Sequence, residues 1–270
     1  AFGEVFLASK GGDKYAVKVL KKSALAKNTK TIAKRPGAKP GGGTSGAFDT
    51  VATEIATMRK INHPNLVHMF DVVVDVNRHE VYVVIEFIDG GASQKMDAEG
   101  NPIPLPEATM WSHMRHLVLG LEFLHMQGIV HRDIKPENLL VTKEPAFNGI
   151  GMLKIADFGT ANILSDDDEN GKKKTQGTPL FFSPEVCTKD ASGTFDTRAV
   201  DLWAVGVTVF VWCCGKMPFM AATEYLLMEE IQQCAETTSP PTEASPMLAS
   251  VIIGLLTKDP AKRLTLNQLR

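Results

Sequence analysis

The chain has 270 residues, with 29 lysines and arginines against 31 aspartates and glutamates, so its formal net charge at pH 7 is −2. That balance excludes a charge-driven partnership with nucleic acid or an anionic membrane, and leaves small anionic ligands open because those need only local charge. The 4 cysteines include no C-x-x-C pair and read as reduced thiols of an intracellular, cytoplasmic protein; the most apolar run, Ala204 to Gly215, is shorter than the roughly 20 residues that span a bilayer.

The chain opens on AFGEVFLA with no initiating methionine or signal-like region, and reads as a piece cut from a longer protein at both ends. Alternating apolar positions in EVFLAS and KYAVKVL, separated by KGGDK, predict two antiparallel strands. From Asn28 to Phe48 the text turns basic and rich in glycine and proline, with almost no large apolar residues, as expected of a disordered insertion. DTVATEIATMRKI then has helical spacing through Val51, Ile55, Met58 and Ile61, and His63-Pro64 ends it. LVHMFDVVV and EVYVVIEFI predict two more strands, and Asp89-Gly90-Gly91 breaks the pattern.

Beyond that break, MWSHMRHLVLGLEFLHMQG predicts a long amphipathic helix, and the text after Asp157-Phe158-Gly159 is mostly helical. The expected organisation is α+β: a small antiparallel-sheet lobe over 1–89, carrying the 28–48 insert, joined to a larger helical lobe over 90–270. A ligand is expected where two such lobes meet.

HRDIKPENLLV, His131 to Val141, and DFGTAN, Asp157 to Asn162, place two aspartates and an asparagine between apolar flanks. Taken alone, HRD also suits a buried histidine beside an Arg–Asp pair. The order of several motifs decides: YAVK ending in Lys18 on a strand, Glu54 on the helix that follows, then HRDIKPEN, DFG, SPE and DLWAVG. With these in sequence the chain resembles a eukaryotic protein kinase over nearly its whole length. The resemblance implies a two-lobed fold that transfers the γ-phosphate of ATP, with Mg2+, to a protein hydroxyl. It assigns Lys18 to the α- and β-phosphates with Glu54 as its partner, Asp157 and Asn138 to the two metal ions, Asp133 to the proton of the acceptor hydroxyl, and Lys135 to the γ-phosphate. Gly3 would be the last glycine of a phosphate-covering loop. Ile85 stands at the gatekeeper position, backbone groups of Glu86 and Ile88 would hydrogen-bond adenine, and Val5, Ala16 and Leu140 would sandwich its ring. Outside this company Lys18 with Glu54 is an ordinary ion pair, and Asp157 and Gly3 are turn residues.

The same resemblance implies a structural pair between Glu185 and Arg263, an anchoring role for Asp201 under the catalytic loop, contact of Thr178 with Asp133, and an internal stack of Met58, Met69, His131 and Phe158. Lys135 in DIKPEN points to serine and threonine acceptors, and Thr160 after DFG to a threonine preference. The basic insert, with VATEIATMRKINHPNLV and AVDLWAVGVTVF, is similar to the calcium/calmodulin-dependent protein kinase kinase group and its plant relatives. This implies an upstream kinase whose protein substrates include the activation-loop threonines of other kinases, with calmodulin as a partner through a segment past Arg270. A serine/threonine kinase of another calmodulin-kinase-like group and a pseudokinase scaffold are the alternatives. Lys174 stands where a phosphothreonine commonly meets Arg132, so the activation segment is expected to work unphosphorylated, ordered by the acidic run Asp166 to Glu169 or by packing around Phe181 and Phe182 rather than by Thr175.

Overall fold

The computed structural model describes residues 4–21, 61–75, 77–78, 80–147, 149–157, 162–163, 177–188, 196–233 and 241–270. Gly3, the 28–48 insert, Glu54, Met58, Phe158, Thr160, the acidic run 166–169, Lys174 and Thr175 lie outside the described residues. The chain divides into two compact units, Ala1–Ile88 and Asp89–Arg270.

The first unit holds a four-stranded antiparallel sheet of β1 (Glu4–Lys10), β2 (Asp13–Lys21), β3 (Met69–Asp75) and β4 (Glu80–Glu86), in the order β1-β2-β4-β3. β1 and β2 are joined by Gly11 and Gly12 alone, with φ of 64° and 96°. Positive φ at both central positions is what a two-residue turn needs to follow the strand twist, and glycine adopts it without steric cost. The third strand begins at Met69, later than the apolar run starting at Leu66 suggests. Leu66 N–H donates to His63 O at 3.0 Å, which closes a turn there. Leu66 and Val67 are buried all the same, so an apolar run here marks burial before it marks strand.

The second unit is built on two helices. In α1 (Glu107–Met126), Met110, His113, Met114, Leu117, Val118, Leu121, Leu124 and His125 are buried, the three-and-four spacing of one helix face. The next long helix of the described residues is Arg198–Cys214, named α3 below because the short α2 (Pro184–Cys187) precedes it; α3 is buried almost all round, as its continuous apolar sequence requires. It ends on Gly215 at φ 63°, whose N–H donates to Val211 O at 2.9 Å. α4 (Glu224–Gln233), α5 (Pro246–Leu255) and α6 (Leu266–Leu269) follow. A Cβ added at Gly206 of α3 would stand 2.8 Å from Leu255 Cβ, so the missing side chain lets α3 and α5 pack closely here.

This unit also carries strands that the helical reading omits: a hairpin of β6 (Leu139–Phe147) and β7 (Ile150–Ile155), and a short pair of β5 (Ile129–Val130) with β8 (Asn162–Ile163). Among the described residues Cys187, Cys213 and Cys214 are free thiols, and no helix is long and apolar enough to cross a membrane.

Candidate active site

The apolar flanks of the two motifs pair with each other. Leu139, Leu140 and Val141 stand opposite Ile155, Lys154 and Leu153 in the β6–β7 hairpin, and Ala156 N–H donates to Asn138 O at 2.8 Å. The end of the loop 131–138 is thereby set beside the residue before Asp157. His131, fully buried, completes the link. Its Nε2 lies 3.0 Å from Ala156 O and its Nδ1 3.3 Å from Asp133 N. A carbonyl only accepts and an amide only donates, so this pattern needs the proton on Nε2 and a bare Nδ1. Arg132 and Asp157, one at each side of this junction, hold left-handed backbone with φ of 66° and 59°, a conformation uncommon outside glycine.

Asp201 on α3 holds Arg132 in that conformation. Its Oδ1 accepts Arg132 N–H at 2.8 Å and its Oδ2 accepts His131 N–H at 3.0 Å. His125 Nε2 of α1 stands 2.8 Å from the same Oδ2. Burial would raise this carboxyl, but the hydrogen bond and charge of His125 and the main-chain hydrogen bond from His131 hold it below the usual aspartate range. The anchoring role expected of Asp201 is therefore visible. His125 was not singled out from the sequence; its mark there is its place on the buried face of α1, just before the loop.

Asp133 is the centre of a closed polar cluster. Lys135 Nζ lies 2.8 Å from its Oδ2, Asn138 Nδ2 donates to Oδ2 at 2.9 Å and to the main-chain oxygen at 2.8 Å, and Thr178 Oγ1 donates to Oδ1 at 2.8 Å. Lys135 Nζ also donates to Thr178 Oγ1 at 2.6 Å. Burial pushes the Asp133 carboxyl up; the Lys135 and Thr178 hydrogen bonds, the Lys135 charge and Asn138 outweigh it, and the group stays below the usual range. Thr178 thus makes the contact expected of it. Gly177 permits this approach: at φ 117° it lies so close to the loop that an added Cβ would stand 2.6 Å from Arg132 O.

Further along, Glu185 and Arg263 form a two-pronged pair, Nη1 to Oε1 at 2.6 Å and Nη2 to Oε2 at 2.9 Å. The remaining Arg263 donors reach Thr257 O, Lys258 O and Ala199 O, so all of its N–H groups are engaged, and its guanidinium lies 5.1 Å from the Trp203 ring.

In the first unit, Val5 is paired with Lys18, and Ala16 with Ile85. Directly opposed residues share a sheet face, as do residues two apart in a strand, so Val5, Ala16, Lys18 and Ile85 line one face. Met69 is paired with Ile85, while Glu86 N–H donates to His68 O at 2.8 Å. Leu140 belongs to the second unit, in β6, bridged to Ala92.

A family model described as protein kinase domain matches residues 1–270. The chain is 35% identical over 277 residues to the calcium/calmodulin-dependent protein kinase kinase of Caenorhabditis elegans, covering 100% of this chain and 49% of that protein. Against serine/threonine-protein kinase GRIK2 of Arabidopsis thaliana it is 35% identical over 273 residues, 99% of this chain and 60% of the relative. Serine/threonine-protein kinase stk11 of Xenopus laevis is 36% identical over 222 residues, 82% of this chain and 49% of that protein. The chain thus spans about half the length of these relatives. With a matching antiparallel-sheet unit followed by a larger helix-rich one, the chain belongs to the protein kinase domain family, in its α+β fold, and resembles the calcium/calmodulin-dependent protein kinase kinase group.

Proposed function

We propose that this chain is the catalytic part of an ATP-dependent serine/threonine protein kinase. The observation that carries the reading is the cluster of Asp133, Lys135, Asn138 and Thr178, in which a carboxylate is kept ionised and oriented beside the strand end leading to Asp157. We read the two compact units as the sheet and helical lobes.

The residues fit a hard divalent cation. Both donating hydrogens of Asn138 are spent on Asp133, which leaves its amide oxygen as the acceptor, and Asp157 supplies a carboxylate. Oxygen donors of this kind suit Mg2+, which neutralises phosphate charge when bound by Asn138 and Asp157. Lys18, with Glu54 as partner, takes the α- and β-phosphates of the ATP substrate. Gly3 belongs to the covering loop, Glu86 and Ile88 present main-chain groups to adenine, and Val5, Ala16, Ile85 and Leu140 bound its ring. Asp133 accepts a hydrogen bond from the acceptor hydroxyl and takes its proton as transfer proceeds. Lys135, already held beside Asp133, places positive charge toward the transferring group. Thr178 fixes the rotation of the Asp133 carboxylate, because Oδ1 is committed to it.

The finer reading is an upstream kinase. Its support is the name of the Caenorhabditis elegans relative, a protein kinase kinase, and the basic insert between Lys18 and Glu54. That relative's name also couples it to calcium/calmodulin, which makes calmodulin a candidate partner of the longer protein. The test is to incubate the longest available protein with ATP, Mg2+ and a panel of folded, inactive kinases beside matched short peptides, and to map the phosphosites. Phosphothreonine in the activation loops of panel members is expected, together with its loss in the Asp157→Asn variant. Labelling of peptides but of no kinase would overturn the upstream role, and no transfer to any acceptor by a folded, ATP-binding protein would overturn the kinase reading.

A further inference from the structure

The division into two units falls between Ile88 and Asp89, and the first residues after it run antiparallel to β6. Ser93 N–H donates to Leu139 O at 2.7 Å and Val141 N–H donates to Gly91 O at 2.8 Å, with Ala92 opposite Leu140. In this register the next hydrogen-bonded rung sets Lys143 opposite Asp89. A regular ladder would pair Lys143 N–H with the main-chain oxygen of Asp89. Here it donates to the side chain, Oδ1 of Asp89, at 2.9 Å. The carboxylate stands in for the missing carbonyl, so the rung is kept while the main chain turns away from β6.

Two neighbours show that this turn is held from both sides. Gly90 packs so tightly that an added Cβ would stand 2.0 Å from Val141 O, and its carbonyl accepts Lys95 Nζ at 2.8 Å. Gly91, at φ 74°, supplies the left-handed step. The held segment begins one residue after Ile88, and the strand that holds it carries Leu140.

We propose that Asp89 is a positioning residue for the nucleotide: by pegging the chain that follows Ile88 to the Lys143 amide, it holds the first residues of the second unit in register with the strand that carries Leu140. This rests on the reading of Glu86, Ile88 and Leu140 as adenine contacts. The Asp89 carboxylate accepts from the Lys143 amide, and Asp89 is not among the residues read as holding phosphate or metal. Its loss therefore changes how firmly ATP is gripped and leaves the transfer step alone. The acceptor of the peg is an oxygen rather than a charge, and asparagine offers the same oxygen.

In Asp89→Ala, KM for ATP is expected to rise about threefold to tenfold, the net size of one ordinary hydrogen bond, with kcat and the KM for acceptor peptide within about twofold. In the nucleotide-free chain the Lys143 amide should exchange its hydrogen about tenfold faster in that variant. Asp89→Asn should restore both readouts. The proposal is overturned if Asn fails as Ala does, since the effect would then be electrostatic. It is also overturned if Lys143 exchange quickens while KM for ATP stays put, since the peg would then be structural only. Failure of the kinase reading looks different: the unaltered chain would bind no ATP although its Lys143 amide is protected, and both readings would fall.

Discussion

Asp133 and Asp201 are both carboxylates sunk in the second unit, 8% and 0% exposed, and both are held below the usual aspartate range against the push of burial. Their donors differ in kind. Asp201 is met by two main-chain amides and a buried histidine, all fixed by the fold. The carboxylate oxygens of Asp133 are met by side chains, Lys135, Asn138 and Thr178, which can shift when another hydroxyl arrives. Similar burial and a shared direction of shift thus go with different settings: a carboxylate bound by backbone holds structure, and one bound by side chains suits the chemistry proposed for Asp133.

The most severe way to break that contrast is Asp201→Ala. It strands His125, the His131 amide and the Arg132 amide, and frees the left-handed Arg132 backbone. A stability loss of about 3–5 kcal/mol is expected, seen as a fall of about 10 °C in Tm, with activity lost alongside. An unchanged Tm would mean that Asp201 is not the anchor described above. Asp133→Asn should do the reverse, keeping Tm within about 2 °C while turnover drops about a thousandfold. Near-normal turnover in a folded protein would remove Asp133 from the chemistry. Thr178→Val is milder, with turnover down about tenfold for one hydrogen bond. It also removes one of the bonds that keep Asp133 ionised. With the carboxylate as the working form of the proposed reaction, the acid limb of the kcat/KM profile should move to higher pH, and a limb that stays put would show that Thr178 does not tune Asp133.

The smallest effect is in the pH dependence of stability. Asp201 has a folded-state pKa below its unfolded value, so its contribution is fully present above the unfolded pKa and is lost as pH falls through the lowered folded value. Denaturant unfolding of Asp201→Asn, which cannot ionise there, should show a stability deficit that narrows across that acid window. A constant deficit would assign the whole effect of Asp201 to packing.

The motif residues could be read from the sequence because their order resembles that of protein kinases, and Glu185, Arg263, Asp201 and Thr178 stand in the contacts that this resemblance implies. Asp89 could not be read this way. Its role depends on Lys143 standing opposite it across a register that no local pattern records, and Asp-Gly-Gly reads only as a break. The β6–β7 hairpin lies between these cases. Asn148-Gly149 between apolar runs is a strong turn signal, but Pro145 and the irregular register around it interrupt the alternation that would mark two strands.

Arg263 draws together stretches of chain far apart in sequence, Glu185, Ala199 and the Thr257-Lys258 turn, with no hydrogen left over for water. None of those stretches can peel away by itself without stranding part of a buried guanidinium. They must open together, as one cooperative foldon, and the amides around 185, 199 and 257–263 should therefore share a single exchange free energy instead of fraying in turn.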